Sequence, residues 1–477
     1  MVLPVFQSSW FVVTVFVLAT LYIASRHAKR SCSFDEFALS KGYFGNFSLM
    51  TSIAATVIGS GFLLGVGEKV YSQGFIYAIC LFAGQPFQFL LLVGVTPRLR
   101  AFHHCFSIGD ILERQYDRRV RYACGILWVL FCIGILTVQM AAIGRIAALI
   151  LPIPIWLGSI VGGSIIIGYC SLCGIRGVVS TDVIQLLLII VGVFFVVMAG
   201  IHHLGGYDIF IRQLHAEQII GLADQGAIGV LSLFLSFAVG DFMIPPMVQR
   251  VMMARSHYQA ALSFSFACVL VALVAIGAGF LGLLASVVNP DTSVQSAINE
   301  LLVLVLPGCL VSIAVCAILA SIMSTADSFL NTAAIAAVRD ALPLFIKKYQ
   351  QTELQQIMLM RMAVLTIGVL AMLFSLYKGD LLTIMLYAFN FWGPTVVIPL
   401  LGALFYQKLP SWLFFVPAGI GLSTALVWDY LALQHQFYLS GLIAGMLACG
   451  VVYSVMLVII MRCTPCQLIP MQGESYD

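Results

Sequence analysis

Apolar residues are distributed along this chain in long runs that are separated by short polar connections. A run of about eighteen or more apolar residues is long enough to cross the hydrocarbon core of a bilayer as a helix. The pattern predicts thirteen such spans, numbered 1 to 13 in chain order, at residues 6–25, 46–70, 75–96, 122–147, 153–175, 182–202, 227–248, 260–288, 302–337, 357–377, 381–406, 411–430 and 437–461. The predicted fold class is therefore an all-α integral membrane protein, with residues 1–477 forming a single transmembrane domain.

Two of these spans carry residues that break helices. Span 2 has four glycines within nine residues, from Gly59 to Gly67, and span 7 has Gly240 followed by Pro245 and Pro246. Both spans are expected to unwind locally and to free backbone groups that can bind an ion or a solute. Glycines that only allow close packing of helices are the simpler alternative.

The spacing of the two breaks predicts an internal repeat. Spans 2 and 7 are five spans apart, so they cross the membrane in opposite directions. Interrupted helices at matching positions of two halves are typical of transporters with inverted repeats. We expect repeat one at residues 46–202 and repeat two at 227–406, with span 1 (6–25) and spans 12 and 13 (411–461) flanking them.

Span 9 carries a stripe of hydroxyl side chains in an otherwise apolar segment. Their spacing of i, i+3, i+4 and i+7 places them on one face of a helix, and Asp327 adds a carboxylate beside them. Oxygen atoms are the ligands that small hard cations prefer, and polar groups inside a membrane usually serve a function. The stripe therefore indicates a cation site within the bilayer; its members are Ser321, Ser324, Thr325 and Ser328.

Composition and charge agree with a membrane protein and predict its orientation. The chain is 61% hydrophobic and only 9% charged, and its mean hydropathy is +1.06. With the amino terminus outside and the carboxyl terminus in the cytoplasm, nineteen Lys and Arg residues lie on the inner side and three on the outer side. The predicted location is the plasma membrane, where the lipid bilayer surrounds the chain, and the net charge of +3 indicates no nucleic-acid partner.

The sequence also argues against an enzyme. It contains no phosphate-binding G-x-x-x-x-G-K-[ST] motif, and no cluster of metal ligands or nucleophile with a base falls within the spans. The cysteines lie in spans or inner segments, which excludes an extracellular disulfide framework. Neither a catalytic residue nor a cofactor-binding residue is therefore expected.

Taken together, these motifs resemble the sodium:solute symporter family over roughly residues 33–408. The markers are Phe34-Asp35-Glu36-Phe37, the Gly-rich span 2, Ser180-Thr181-Asp182-Val183-Ile184-Gln185, Gln249-Arg250, Ser324-Thr325-Ala326-Asp327-Ser328 and Gly393-Pro394. The resemblance implies a LeuT-type fold of 5+5 inverted repeats with about thirteen transmembrane helices. It also implies transport of Na+ as the coupling ion.

The resemblance further implies where sodium binds and leaves. The ion would lie between spans 2 and 9, held by the backbone carbonyls of Ala54, Val57 and Ser321 and by the hydroxyls of Ser324 and Thr325. Hydroxyls that bond to the carbonyl one turn back, or to neighbouring helices, are the alternative. Asp182 matches an acidic residue on the family's inner exit route for sodium, although a helix cap or a partner for Arg176 would also explain it.

The solute is expected at the midplane between spans 2, 3, 7 and 11. Asp241, at the break of span 7, could meet an amine or a hydroxyl-rich solute, or it could cap the second half-helix. Where sugar carriers of the family have polar contacts, this chain has Thr56, Ala83 and Phe237, so an amino acid or a vitamin-like solute fits better than a sugar. The candidate contacts are Thr56, Ser60, Gly61, Gln85, Gln88, Asp241 and Asn390.

These expectations describe a sodium-coupled secondary symporter that imports a small organic solute by alternating access. A transporter-like sensor that binds the solute without net transport is the alternative, although the chain has no output domain.

Overall fold

A computed structural model describes residues 3–28, 33–215, 218–219, 221, 226–344, 352–377 and 387–463 of the protein. The spans form the helices Leu3–Ala28 (span 1), Asn46–Val57 with Gly61–Gln73 (span 2), Ile76–Arg100 (3), Arg118–Ile150 (4), Ile155–His203 (5 and 6), Gly226–Val239 with Pro245–Met253 (7), His257–Val288 (8), Gly308–Ile335 (9), Glu353–Ser375 (10), Tyr387–Phe405 (11), Trp412–Tyr430 (12) and Gly441–Cys463 (13). Shorter helices are Phe34–Ala38, Ile108–Gln115, Tyr207–Gln213, Ala297–Val305 and Gln434–Phe437.

Every predicted apolar run thus coincides with helix in the part of the chain that the structure describes. Within it, nine helices are long and apolar enough to cross a membrane, and the bent pair of span 2 makes a tenth. The apolar helices Trp10–Arg26 and Gly226–Val239 are shorter and belong to spans 1 and 7. The beginning of predicted span 11, residues 381–386, lies outside the described residues.

Spans 5 and 6 form one apparent helix of 49 residues, which a single glycine divides. At 1.5 Å per residue such a helix would be about 73 Å long, more than twice the hydrocarbon thickness of a bilayer. Gly174 interrupts it with φ 57° and ψ −169°, values that a residue with a side chain rarely adopts. A Cβ at Gly174 would also lie 2.9 Å from the carbonyl oxygen of Phe37. The chain therefore turns here and crosses the membrane twice, as predicted.

The two expected breaks are present. Span 2 bends by 56° between its two helices, and a single π-helical turn, Gly61–Gly65, begins the second one. In span 7 the first helix ends at Val239, and the second begins at Pro245, where the missing N–H of proline costs no helical hydrogen bond. Between them the buried Met243 has φ 53°, a left-handed conformation that is strained for a residue with a side chain.

Span 9 is the most enclosed of the long helices. In the most apolar 18-residue stretch of span 9, 89% of the residues are buried, against 33% in the corresponding stretches of spans 10 and 12. The outer faces of spans 10 and 12 carry exposed apolar side chains, which suit contact with lipid. The hydroxyl stripe on span 9 therefore faces protein and not the bilayer.

An ionic cluster ties the predicted cytoplasmic ends of several helices together. Arg121, in the first turn of span 4, pairs with Asp110 at 2.7 Å and with Asp340 at 2.9 Å, and it also contacts Glu113. Gly109 and Gly125 allow this packing, since a Cβ at either would lie within about 2.6 Å of the Asp340 side chain. The helix Ile108–Gln115 is thereby fastened to the end of span 9.

Candidate functional site

The break in span 2 releases two backbone carbonyl groups. After Val57 the N–H of Gly59 turns back to the carbonyl of Val57 at 2.9 Å instead of continuing the helical pattern. In a regular helix the carbonyls of Ala55 and Thr56 would accept from the amides four residues later, at Gly59 and Ser60. Both amides have other partners here, so the two carbonyls are available to groups from outside the helix.

The hydroxyl stripe of span 9 meets these carbonyls directly. Ser324 donates to the carbonyl of Ala55 at 2.9 Å, and Thr325 donates to the carbonyl of Thr56 at 3.0 Å. Both side chains are buried. Hydroxyl and carbonyl oxygens from two helices thus lie together in the buried interior. Such oxygens can bind a dehydrated monovalent cation, and the same hydrogen bonds are also those by which hydroxyls join neighbouring helices. A cation would turn each hydroxyl so that its lone pair, and not its proton, faces the site.

The remaining predicted ion ligands lie in the same region. The carbonyl of Ala54 accepts from the N–H of Ile58 at 3.2 Å, and that of Val57 accepts from Gly59. Ser321 donates to Ile318, one turn back on its own helix, while its carbonyl accepts from Ser324 at 3.1 Å. Both hydrogen bonds of Ser321 therefore run along span 9, as in the alternative of local bonding, while its carbonyl lies beside the Ser324 hydroxyl.

Gly59 allows spans 2 and 9 to approach this closely. A Cβ on Gly59 would lie 2.7 Å from the hydroxyl oxygen of Thr325 and 3.0 Å from the amide nitrogen of Gln139. Any side chain at this position would push Thr325 away from the break. The glycine is therefore needed for the close approach of spans 2 and 9 at the site. Helix packing, the simpler alternative for the glycines of span 2, and a role at the site are the same requirement for Gly59.

One turn toward the predicted cytoplasmic end, a buried arginine closes the site. The guanidinium of Arg250 donates to the hydroxyls of Ser328 at 2.7 Å, Ser52 at 3.0 Å and Thr56 at 3.2 Å. Its side chain is fully buried, and Asp182 lies 3.9 Å away. The group therefore joins the second half of span 7 to spans 2, 6 and 9.

The acidic neighbours of Arg250 are only partly satisfied. Ser52 donates to one oxygen of Asp182 at 2.6 Å, and Tyr169 donates to one oxygen of Asp327 at 3.0 Å. The other oxygen of each carboxylate is buried without a hydrogen-bond partner among the described residues. Arg250 is thus the charge that compensates this buried cluster. Asp182, predicted on the exit route of sodium, lies directly beside it.

Three of the predicted solute contacts lie together at the break of span 7. Gln88, on span 3, donates to Asp241 at 2.7 Å, and Gln85 donates to the carbonyl of Phe237 at 3.2 Å. These three polar side chains line the seam between span 3 and the break. Asp241 itself is partly exposed, and within the described ranges no Lys or Arg pairs with it.

The other predicted solute contacts are more dispersed. Asn390, on span 11, donates to Asp429 of span 12 at 2.8 Å, while its own carbonyl oxygen is buried without a partner in the described part. Thr56 accepts a hydrogen bond from Arg250, and Gly61 begins the π-helical turn of span 2. The hydroxyl of Ser60 is buried and has no hydrogen-bond partner among the described residues. Span 11 reaches the break of span 7 through Trp392, whose indole N–H donates to the carbonyl of Phe242 at 3.2 Å.

Sequence reasoning missed two residues of this region. Gln139 of span 4 accepts a hydrogen bond from the N–H of Ser60, and it was visible only as one polar side chain within an apolar span. Arg250 was part of the Gln249-Arg250 marker and one of the nineteen basic residues counted on the inner side, because basic residues usually lie at membrane ends. Its burial follows from hydroxyls and carboxylates on three other spans, which no local pattern reveals.

Comparison with known proteins places the geometry in a family context. Residues 37–411 match the sodium:solute symporter family. The high-affinity proline transporter PutP of Bacillus subtilis (strain 168) is 23% identical, over 94% of this chain and 97% of its own length. The sodium/pantothenate symporter of Escherichia coli (strain K12) is also 23% identical, over 83% of this chain and 84% of its own length.

A solved structure shows the same fold. The substrate-bound outward-open state of a Na+-coupled sialic acid symporter superimposes with a TM-score of 0.78 at 18% sequence identity, covering 97% of this chain and 99% of that chain. The likeness extends over nearly the full length of both chains.

Proposed function

The chain belongs to the sodium:solute symporter family and has its LeuT-type fold, and from this membership we propose where its ion and its solute bind. It is a multi-pass membrane protein that couples the transport of a small solute to Na+. We assign the sodium site to the released carbonyls of span 2 together with Ser324 and Thr325 of span 9. The observation that carries this assignment is the direct contact of those two hydroxyls with the carbonyls of Ala55 and Thr56.

The proposed sodium ligands are the oxygens in contact in this structure, together with the carbonyls that the family resemblance implies. The carbonyls of Ala54 and Val57 flank the released pair, and each accepts from a backbone N–H, so an ion would use the second lone pair of each oxygen. Neutral oxygens suit a monovalent cation that must be released again. One sodium entering down about 100 mV contributes about 2.3 kcal/mol, enough to concentrate a neutral solute about fiftyfold.

For the solute we propose a small amine-bearing molecule of the amino-acid type. Asp241 supports this choice because its carboxylate sits in the break of span 7 with an amide, Gln88, as its hydrogen-bond partner and no paired cation in the described part. An ammonium group would supply the missing charge. A carboxylate solute without an amine would be repelled by Asp241. The proline transporter of Bacillus subtilis among the relatives agrees with this class.

Alternating access would follow from the two repeats, which we place at residues 46–202 and 227–406. The Arg250 cluster lies one turn below the sodium site, so it would close the inner path while the outer path is open. Inward release would require Arg250 to separate from Ser328 and Asp182, which gives Asp182 its place on the exit route. We propose the plasma membrane as the location, with the amino terminus outside, and transport as the activity in keeping with the relatives.

Uptake into proteoliposomes tests the solute class. With an inward sodium gradient, a panel of zwitterionic amino acids, free monocarboxylates and sugars should show concentrative uptake only for members that carry an amine. Removal of the sodium gradient should reduce the internal concentration to that outside. Concentrative uptake of a sugar or a monocarboxylate, with none of the amino acids, would refute the amine assignment.

Replacement of Asp241 by asparagine should weaken solute binding far more than sodium binding. The loss of a charged hydrogen bond to an ammonium group costs about 2 kcal/mol, so the solute affinity should fall about thirtyfold. Binding of radiolabelled solute at saturating sodium measures the effect. The control is Asp208→Asn, which removes an equal charge from the exposed helix Tyr207–Gln213 and should leave both affinities within about twofold. Unchanged solute affinity in Asp241→Asn would remove Asp241 from the pocket.

A further inference from the structure

Gln139 is a polar side chain in the middle of a membrane-spanning helix. It lies on span 4, its side chain is buried, and its nearest polar neighbour along the helix is Thr137. A primary amide is costly to bury in a bilayer unless its hydrogen-bonding groups are used. Thr137 donates to the carbonyl of Ile133 on its own helix at 2.7 Å and to that of Ala371 on span 10 at 3.3 Å. Gln139 instead reaches span 2.

The contact that Gln139 makes is with the break itself. Its carbonyl oxygen accepts from the backbone N–H of Ser60 at 3.2 Å. Ser60 is the first residue of the second half of span 2, where the initial N–H groups of a helix have no partner within the helix. The amide of Gln139 therefore satisfies one of the donors that the break leaves exposed. Without it, that N–H would turn back toward Thr56 and begin to restore the regular helix.

The same amide also borders the ion site. Its nitrogen lies 3.0 Å from the point that a Cβ on Gly59 would occupy, and the hydroxyl oxygen of Thr325 lies 2.7 Å from that point. Gln139 and Thr325 thus pack on the same glycine from two different spans. A change in the Gln139 side chain would be transmitted to the position of Gly59, and so to the carbonyls that precede it.

We propose that Gln139 is a positioning residue for sodium. It holds the N–H of Ser60 away from the helical register and so keeps the carbonyls of Ala55 and Thr56 turned toward span 9. It acts on the ion through the backbone of span 2. Its partner Ser60 is itself a predicted solute contact, but only the backbone N–H of Ser60 is involved, and within the described residues Gln139 has no hydrogen bond to Gln85, Gln88 or Asp241. This inference rests on the proposed sodium site between spans 2 and 9.

The test compares three variants in sodium titrations of purified protein. Gln139→Met keeps the length of the side chain but removes the acceptor, and it should raise the sodium concentration for half-saturation about tenfold. Solute affinity at saturating sodium should stay within about twofold. Gln139→Glu keeps an acceptor oxygen and, where ionised, adds a negative charge beside the proposed site, so its sodium concentration for half-saturation should not exceed that of the unmodified protein by more than about threefold. Thr137→Val, also buried on span 4, should change neither quantity.

The outcomes separate this inference from the proposed site. The thermal unfolding midpoint of each variant distinguishes loss of folding from loss of sodium binding. If Gln139→Met does not fold, the sodium titration of Gln139→Glu still tests the role of the acceptor oxygen. If Ser324→Ala with Thr325→Ala loses sodium binding while Gln139→Met binds sodium normally, the site stands and the role of Gln139 is wrong. If the double variant itself binds sodium normally, the site is misplaced. Equal losses of sodium and solute affinity in Gln139→Met would indicate a merely structural residue.

Discussion

Replacement of Ser324 and Thr325 together by alanine is expected to abolish sodium-driven accumulation of solute. The change removes two of the oxygen ligands proposed for the ion, and each contact of this kind contributes about 1.5 kcal/mol or more. Together they should lower the affinity for sodium about a hundredfold. In proteoliposomes with an imposed sodium gradient and membrane potential, the ratio of internal to external solute should fall from tens to about one.

Two further variants make that experiment specific. Thr325→Ser retains the hydroxyl and should keep most of the accumulation, because only a methyl group is lost. Ser312→Ala removes an equally buried hydroxyl from span 9, twelve residues before Ser324 and so about 18 Å away along the helix axis. Ser312→Ala should accumulate solute normally. Normal accumulation by the double alanine variant, with an intact dependence on sodium, would contradict the assignment.

Replacement of Arg250 by methionine is expected to have the largest effect on stability. The guanidinium is fully buried, and its removal leaves Asp182 and Asp327 without a compensating charge and Ser52, Thr56 and Ser328 without a shared donor. Breaking a buried ion pair by removing one partner costs about 3–5 kcal/mol. Thermal unfolding in detergent should show a clearly lowered midpoint, and transport should be lost as well.

A double-mutant cycle identifies the cause of the lost stability. Asp182→Asn combined with Arg250→Met removes the carboxylate that was left alone, so part of the lost stability should return. Arg255→Met is the matched control, because Arg255 is exposed and donates to the carbonyl of Gly42 at 2.8 Å. It should cost no more than about 1 kcal/mol. A midpoint for Arg250→Met equal to that of Arg255→Met would show that the buried cluster does not need its cation.

The helical architecture was largely predictable because membrane helices are specified by local properties. Length, hydropathy and basic residues at the ends locate spans without knowledge of their neighbours. The breaks of spans 2 and 7 were also local, since glycine and proline weaken a helix wherever they occur. The division of Ile155–His203 into two spans was predicted from its two apolar runs, whereas the turn at Gly174 is seen only in the structure.

The contacts within the site were predictable only in part. The hydroxyl stripe and the break of span 2 were each visible, and their pairing came from the family resemblance. Which carbonyls the hydroxyls reach depends on how span 9 packs against span 2, and the missing side chain of Gly59 lets the two spans approach closely. The pairing of Gln88 with Asp241 likewise joins two residues that were placed separately in the pocket.

The roles of Arg250 and Gln139 could not be predicted from the sequence because both residues bond to groups on other spans. A basic residue close after an apolar run normally reaches the membrane surface. Arg250 instead meets three hydroxyls and a carboxylate contributed by spans 2, 6 and 9. Such buried polar networks are assembled by tertiary packing, so the pattern of one helix does not contain them.

Direct binding of radioactive sodium to the purified protein tests the central claim, that the ion lies between the break of span 2 and the hydroxyls of span 9. We expect saturable binding in the unmodified protein and in Ser312→Ala. In Ser324→Ala with Thr325→Ala, binding should be reduced about a hundredfold in affinity, while the thermal midpoint remains measurable. Sodium binding of undiminished affinity in a folded double variant would contradict the account.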